Sequence, residues 1–181
     1  AALRPDFDGV KLLGKMMTKG DDNALRHVAA FFAEKGIETI GVDAFLPDRK
    51  MPLGLVAGDK PDARSMDTIA LGATVLAALG THDVGQSVIV QNGRVIAIEA
   101  AEGSDAMIAR AGALLDPTGG IACLVKMLKS AQDSRLDMPV IGCNTILSVA
   151  NAGLSLMAIE ADSVLLADDI TVIKALLKTH N

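Results

Sequence analysis

The apolar positions along the chain alternate between the spacing of helices and the spacing of strands. Apolar residues recur three and four positions apart in segments at 25–32, 69–76, 107–115, 146–150 and 170–177, as on the buried face of a helix. Short apolar runs lie between them at 37–42, 88–90, 95–98, 121–128, 154–160 and 164–167. Helices that alternate with strands indicate an α/β fold. We therefore predict one mixed β-sheet with an internal β-hairpin, flanked by about five helices.

The internal hairpin is the clearest local feature of the sequence. Two apolar runs rich in β-branched residues flank Asn92-Gly93, and both central residues of a two-residue hairpin turn must accept a positive φ. Parts of both runs are apolar on both faces, so we expect the hairpin to be buried inside the sheet rather than at its edge. The second run delivers Glu99 and Glu102 at its end.

Side chains that can cap a helix precede several of the helical segments. Asp21 and Asp22 precede the first, Ser65 the second and Ser104 the third. Each offers an oxygen to the unpaired N–H groups of a first helical turn. Residues 43–64, which are rich in proline, glycine and charge, are predicted to form a long loop.

Composition and charge exclude several classes of protein. The formal net charge is −5 and 2% of the residues are aromatic, so neither a basic surface for nucleic acid nor a stacking platform for bases is expected. No apolar run reaches the ~18 residues of a membrane span, and no signal peptide is expected. Cys123 and Cys143 are not spaced as a metal-binding pair, and we expect free thiols in a reducing cytosol.

Charged and amide side chains gather in two stretches that each follow an apolar run. The first holds Glu99, Glu102 and Asp105, and the second is the loop between Lys126 and Asp137. Ligands of sheet proteins tend to bind at such strand ends and loops. Cations would neutralise a phosphate there, while carboxylates would hold a metal ion or orient water. We therefore predict that the two stretches meet around a phosphate and a divalent metal.

Each stretch also has a purely structural interpretation. Glu102 and Asp105 would be favoured by the positive end of the helix that begins near Ser104. In the second stretch, Arg135 could simply pair with a neighbouring aspartate in a solvated turn, a contact worth only ~0–1 kcal/mol. The spacing of the residues alone does not decide between these interpretations.

Two motifs narrow the choice. Residues 99–107 read E-A-A-E-G-S-D-A-M, and residues 132–139 read Q-D-S-R-L-D-M-P. Shorter stretches at 3–5, 20–22, 83–86, 125–126 and 152–161 occur in matching order and spacing. Together they resemble the C-terminal domain of the LpxI-type UDP-2,3-diacylglucosamine pyrophosphatases over nearly the whole chain.

The resemblance implies a cytoplasmic, Mg²⁺-dependent hydrolase of lipid A synthesis. It would split UDP-2,3-diacylglucosamine into UMP and 2,3-diacylglucosamine 1-phosphate, with water attacking the α-phosphorus. Residues 1–20 would then be a leader or interdomain linker and residues 21–181 the C-terminal catalytic-type domain. The N-terminal domain of the family would be absent from this chain.

The resemblance also implies roles for the polar residues of the two motifs. We expect Asp133 and Asp137 to be the essential carboxylates that hold Mg²⁺ or orient water, with Asp133 ahead. The remaining assignments are metal or water contacts by Glu99, Glu102 and Asp105, phosphate neutralisation by Lys126 and Arg135, and hydrogen bonds to sugar or phosphate by Gln132 and Gln86.

The expected partners follow from the same resemblance. They are a lipid-linked sugar nucleotide, the missing N-terminal domain and, transiently, the surface of the inner membrane, and a homodimer is left open. Two other functions are also open: a non-catalytic domain that binds lipid or nucleotide, and a metal-dependent hydrolase of another sugar nucleotide.

Overall fold

The computed structural model of the chain describes residues 6, 9–10, 14, 21–130 and 132–179, and among these it has five helices and six strands. The predicted leader at residues 1–20 lies largely outside the described residues. The predicted α/β class with a mixed sheet is confirmed. The elements are α1 (Asp21–Glu34), α2 (Ala63–Gly80), β1 (Ser87–Gln91), β2 (Arg94–Ile98), α3 (Ser104–Gly112), β3 (Ala122–Lys126), β4 (Val140–Ile141), α4 (Cys143–Asn151), β5 (Leu156–Ile159), β6 (Leu165–Leu166) and α5 (Ile170–Thr179).

The main sheet has the strand order β2-β1-β3-β5. Strand β1 pairs antiparallel with both β2 and β3, while β3 pairs parallel with β5. Successive side chains of a strand point to opposite faces, and every residue of β1 and β3 is buried. Ile89 and Leu124 pack on one face with residues of α3 and α4. Val88 and Val125 pack on the other face with Leu76 of α2.

The hairpin turn forms as predicted, because Asn92 and Gly93 have φ values of 50° and 72°. Its expected position was wrong in one respect. Strand β1 is central, but β2 is the edge strand and its first two residues are exposed. The apolar character of β2 therefore led to too high a predicted burial for that strand.

A second, two-stranded sheet stands beside the first and was not predicted. It pairs β4 with β6 in parallel. Ile141, Val164 and Leu166 form a separate apolar cluster with Ile146 of α4 and Ile173 of α5. The carboxyl end of β4 leads directly into α4, whose first amide, that of Cys143, donates to Asp168 Oδ2 at 2.7 Å.

The N-terminal third departs from the prediction after α1. Residues 37–41 contain no strand, since a strand requires a partner and the described residues supply none there. Two short 3-10 turns follow. The chain then bonds to the residues just before β6: the Met51 amide donates to Val164 O at 2.8 Å, and Met51 O accepts from the Asp162 amide at 3.0 Å.

Two predicted helix caps were also wrong. Asp62, not Ser65, caps α2, because its side chain accepts from the Ser65 amide at 2.8 Å. Gly103, not Ser104, holds the cap position of α3, which leaves the Ser104 hydroxyl for other partners. No described helix has both the length and the apolar character that a bilayer crossing requires.

Candidate functional site

Lys126, the last residue of β3, lies at the centre of the candidate site. Its side chain is buried, and Nζ donates to Ser104 Oγ at 2.7 Å and to Ser87 Oγ at 3.1 Å. Burial lowers the pKa of Lys126, and the negative charges of Glu99, Asp105 and Asp137 act in the opposite direction. The buried cation is therefore surrounded by carboxylates from both predicted stretches.

A chain of hydrogen bonds joins the two stretches directly. Glu99 Oε2 accepts from the backbone amide of Gln86 at 3.2 Å. The side-chain Nε2 of Gln86 donates to Gln132 Oε1 at 2.6 Å. Gln132 Nε2 then donates to Asp137 Oδ2 at 2.6 Å. The acidic stretch after β2 and the loop after β3 thus converge, as the sequence predicts.

Glu102, which precedes α3, pairs with Arg110 in the last turn of that helix. Arg110 donates to Glu102 Oε1 from Nε at 3.0 Å and from Nη2 at 2.7 Å, and it also donates to the carbonyl of Ile98 at 2.7 Å. The bonds from Arg110 to its carboxylate lower the pKa of Glu102. Glu102 does not contribute to the field around Lys126 in the way that Glu99 and Asp105 do.

Asp133 forms a two-point ion pair with Arg135. The guanidinium donates to Oδ1 at 3.0 Å and to Oδ2 at 2.7 Å, and the Arg135 amide donates to Oδ1 at 3.1 Å. This pairing lowers the pKa of Asp133 to about 2. Asp133 is therefore ionised near neutral pH and is held by Arg135. The other aspartate of the loop, Asp137, belongs to the hydrogen-bond chain described above.

The N-terminal residues lie against this loop. The positive charge of Arg26 lowers the pKa of Asp133 further. The bond to Asp133 raises the pKa of Arg135, and the negative charge of Glu38 adds to that effect. A Cβ atom added at Gly41 would stand 3.2 Å from Cα of Arg135, so the two backbones run close together. The ion pair of the loop thus lies where the N-terminal segment, residues 21–49, meets the sheet domain, residues 52–179.

The described carboxylates do not form a complete metal site by themselves. Within the described ranges, no three His, Cys, Asp or Glu side chains converge as a preformed metal cage. Mg²⁺ commonly takes one or two carboxylates and completes its shell with water and phosphate oxygens. No more than two of Glu99, Asp105 and Asp137 would therefore bind one ion, and oxygens of a phosphate ligand would complete its shell.

Sequence reasoning missed several residues that build the site. Ser87 and Ser104 were not assigned to it, although both bond to Lys126. Glu160, at the end of β5, accepts from the Leu128 amide at 2.9 Å and fixes the start of the loop. A carboxylate directly after an apolar strand was the available signal for Glu160, while the serines gave none beyond a capping position.

Comparison with known proteins supports the resemblance. Residues 52–180 match the model of the LpxI C-terminal domain, and residues 1–49 match the model of the LpxI N-terminal domain. A protein from Caulobacter vibrioides named UDP-2,3-diacylglucosamine pyrophosphatase LpxI is 35% identical over 183 residues. The aligned region covers 97% of this chain and 65% of that relative, so the chain spans less than two thirds of its length.

The two matches correct one prediction. Residues 21–181 were assigned to the C-terminal domain, but residues 1–49 match the N-terminal model, so the prediction that this chain lacks the N-terminal domain was wrong. The chain holds sequence from both domains, and it belongs to the LpxI family.

Proposed function

We propose that this chain is part of an enzyme that hydrolyses UDP-2,3-diacylglucosamine to UMP and 2,3-diacylglucosamine 1-phosphate, known as lipid X, in lipid A synthesis. The main support is the meeting of the two family motifs around Lys126, in a chain that is 35% identical to the Caulobacter pyrophosphatase. Anionic, cationic and amide groups then face one polar site. That mixture suits attack by water on a charged phosphate.

In the proposed reaction, a water oxygen forms a bond to the α-phosphorus while the bond from that phosphorus to the bridging oxygen breaks. The bridging oxygen takes the electron pair of the broken bond and leaves as part of the 2,3-diacylglucosamine 1-phosphate, and the water's proton passes to solvent. Asp137 is fixed by Gln132 and would orient the water. Asp133 stays ionised at neutral pH, which suits the holding of a cation more than the acceptance of a proton. Arg135 would neutralise charge on the leaving phosphate.

We propose Mg²⁺ as the cofactor. Glu99 and Asp105 would offer it carboxylate oxygens, because Asp137 orients the water and Glu102 is engaged by Arg110. When bound, the ion would supply neutralisation of phosphate charge. Lys126 and Gln86 would act beside it, Lys126 through its positive charge and Gln86 as a donor to sugar or phosphate oxygens.

The proposed location is the cytoplasm, with transient contact at the inner-membrane surface, because the substrate carries two acyl chains. Large apolar side chains are exposed between residues 37 and 55, Phe45 at 71% and Leu53 at 89%. These side chains would approach the lipid surface or pack against the second subunit of a homodimer.

The test is Mg²⁺-dependent release of UMP by the two-domain protein with Asp137→Ala or Asp133→Ala. Each change should lower kcat about 10²-fold or more, because each removes a positioned charge from the reacting centre. Asp67→Ala, which alters an exposed aspartate on α2, serves as the matched control and should leave the rate unchanged.

Three outcomes would contradict the proposal. UMP release that survives both changes would remove Asp133 and Asp137 from the mechanism. Binding of the substrate without any release by the unmodified protein would favour a non-catalytic lipid- or nucleotide-binding domain. Equal hydrolysis of UDP-sugars that lack acyl chains would favour a different sugar nucleotide.

A further inference from the structure

We infer that Ser104 contacts the substrate and donates its hydroxyl hydrogen to an oxygen of the pyrophosphate. The inference rests on the proposed function and adds a binding residue to it. Ser104 is the first residue of α3 and is half-buried, whereas Ser87 and Lys126 behind it are almost fully buried. Ser104 is therefore the member of this three-residue cluster that a ligand can reach.

The direction of the Ser104 hydroxyl follows from the hydrogen-bonding capacity of the cluster. The Lys126 ammonium can only donate, so both serine oxygens accept from it, at 2.7 Å for Ser104 and 3.1 Å for Ser87. The two serine oxygens are 3.1 Å apart, and either could donate to the other. Which one does so depends on where each hydroxyl hydrogen has an acceptor.

Ser87 has no exposed surface, and a buried hydroxyl rarely leaves its hydrogen unpaired. Among the described residues, the Ser104 oxygen is the acceptor within reach of the Ser87 hydroxyl. Ser87 must then donate to Ser104. The Ser104 oxygen thereby accepts two hydrogen bonds, which fills its acceptor capacity, and its own hydrogen remains available toward solvent.

Charge makes that hydrogen a strong donor for an anion. The Lys126 ammonium polarises the Ser104 oxygen through a direct hydrogen bond. Hydrogen bonds to charged groups are shorter and stronger than neutral ones. Lys126 itself is buried and acts through Ser104, so it is a positioning residue whose charge is delivered to the site by the serine hydroxyl.

The experiment compares Ser104→Ala, Ser104→Thr and Ser148→Ala in the two-domain protein. Ser148 is half-buried on α4, so the control removes the same atom from another helix. Ser104→Ala should lower kcat for UMP release about 10²-fold, with a smaller change in KM, as expected for a donor to developing charge. Ser104→Thr keeps the hydroxyl and should restore most of the rate, and Ser148→Ala should match the unmodified protein.

A second measurement is independent of turnover. Calorimetric titration with inorganic pyrophosphate and Mg²⁺ should show binding about tenfold weaker in Ser104→Ala, the loss expected for one charge-assisted hydrogen bond. Ser104→Thr should bind as the unmodified protein does. Thermal unfolding of all variants would show whether each is folded at the assay temperature.

The outcomes separate this inference from the proposed function. If the unmodified protein releases no UMP yet binds pyrophosphate through Ser104, the proposed function fails and the Ser104 site stands. If UMP is released and Ser104→Ala equals the unmodified protein in kcat and binding, Ser104 is only structural and the inference fails. A Ser104→Thr variant as impaired as Ser104→Ala would also overturn it, as would an unmodified protein that neither binds pyrophosphate nor turns over substrate.

Discussion

At the scale of single residues, the ion pair of Asp133 and Arg135 has the clearest measurable consequence. The pKa of Asp133 is about 2 in the folded protein, below the ordinary 3.8. A depressed carboxyl pKa contributes stability that is present above pH 3.8 and is lost as the pH falls through about 2. Arg135→Gln should raise the pKa of Asp133 toward its ordinary value, so the variant should be less stable than the unmodified protein above pH 3.8 and should lose less stability between pH 3.8 and about 2.

Carbon-13 NMR titration of the Asp133 carboxyl group measures this change. Arg110→Gln removes the corresponding guanidinium beside Glu102 and should leave the Asp133 titration unchanged, which makes it the matched control. An unaltered Asp133 titration in Arg135→Gln would show that backbone hydrogen bonds, rather than the guanidinium, set its acidity.

Most polar residues of the candidate site could be recognised from the sequence, but their pairings could not. The sequence predicted that the acidic stretch after β2, with Glu99 and Asp105, would lie near the loop after β3, with Asp137. Whether Arg135 pairs with Asp133 or with Asp137 depends on the path of the loop, which neighbouring residues do not dictate. Ser104 was misread because a serine before a helical pattern is usually its cap.

At the scale of elements, the approach of β1 to the end of β2 depends on Gly85. Gly85 has a φ of 53°, and a Cβ atom there would collide with the carbonyl oxygen of Glu99 and stand 2.9 Å from its carbon. Gly85→Ala should destabilise the protein by about 2–4 kcal/mol, because left-handed strain adds to a backbone clash. Chemical denaturation measures the loss.

Gly93→Ala is the control for conformational strain alone. Gly93 also has a positive φ, 72°, but nothing lies within 4 Å of an added Cβ atom. Its replacement should cost about 1–2 kcal/mol, the left-handed penalty for a residue with a side chain. Equal losses for the two variants would mean that the backbone contact between Gly85 and Glu99 relaxes easily and does not fix the position of Glu99.

Local signals predicted elements well, and distant pairings were the source of the errors. The hairpin was found because Asn92 and Gly93 determine their own turn, with no help from the rest of the chain. The run at residues 37–42 has the composition of a strand but no described partner, so composition alone was misleading. The pairing of β4 with β6 joins segments separated by an entire helix and strand, which no local pattern reveals.

At the scale of the whole molecule, Met51 joins the segments that match the two family domains. It stands between the matches at residues 1–49 and 52–180. Its amide and carbonyl bond to Val164 and Asp162 on the β6 side, and Arg49 Nη1 donates to Ala167 O at 3.4 Å. The junction is therefore fastened to the sheet domain by backbone bonds rather than left as a free linker.

Met51→Pro should loosen this junction, because proline has no amide hydrogen to donate to Val164. Met51→Ala keeps the amide and removes only the half-buried side chain, so it separates backbone bonding from packing. Hydrogen exchange should show faster exchange of the Asp162 amide in Met51→Pro than in Met51→Ala. Because Gly41 lies against Arg135, a loosened junction should also free the N-terminal segment from the site loop and lower UMP release. Equal exchange and equal activity in the two variants would show that packing alone holds the segments together.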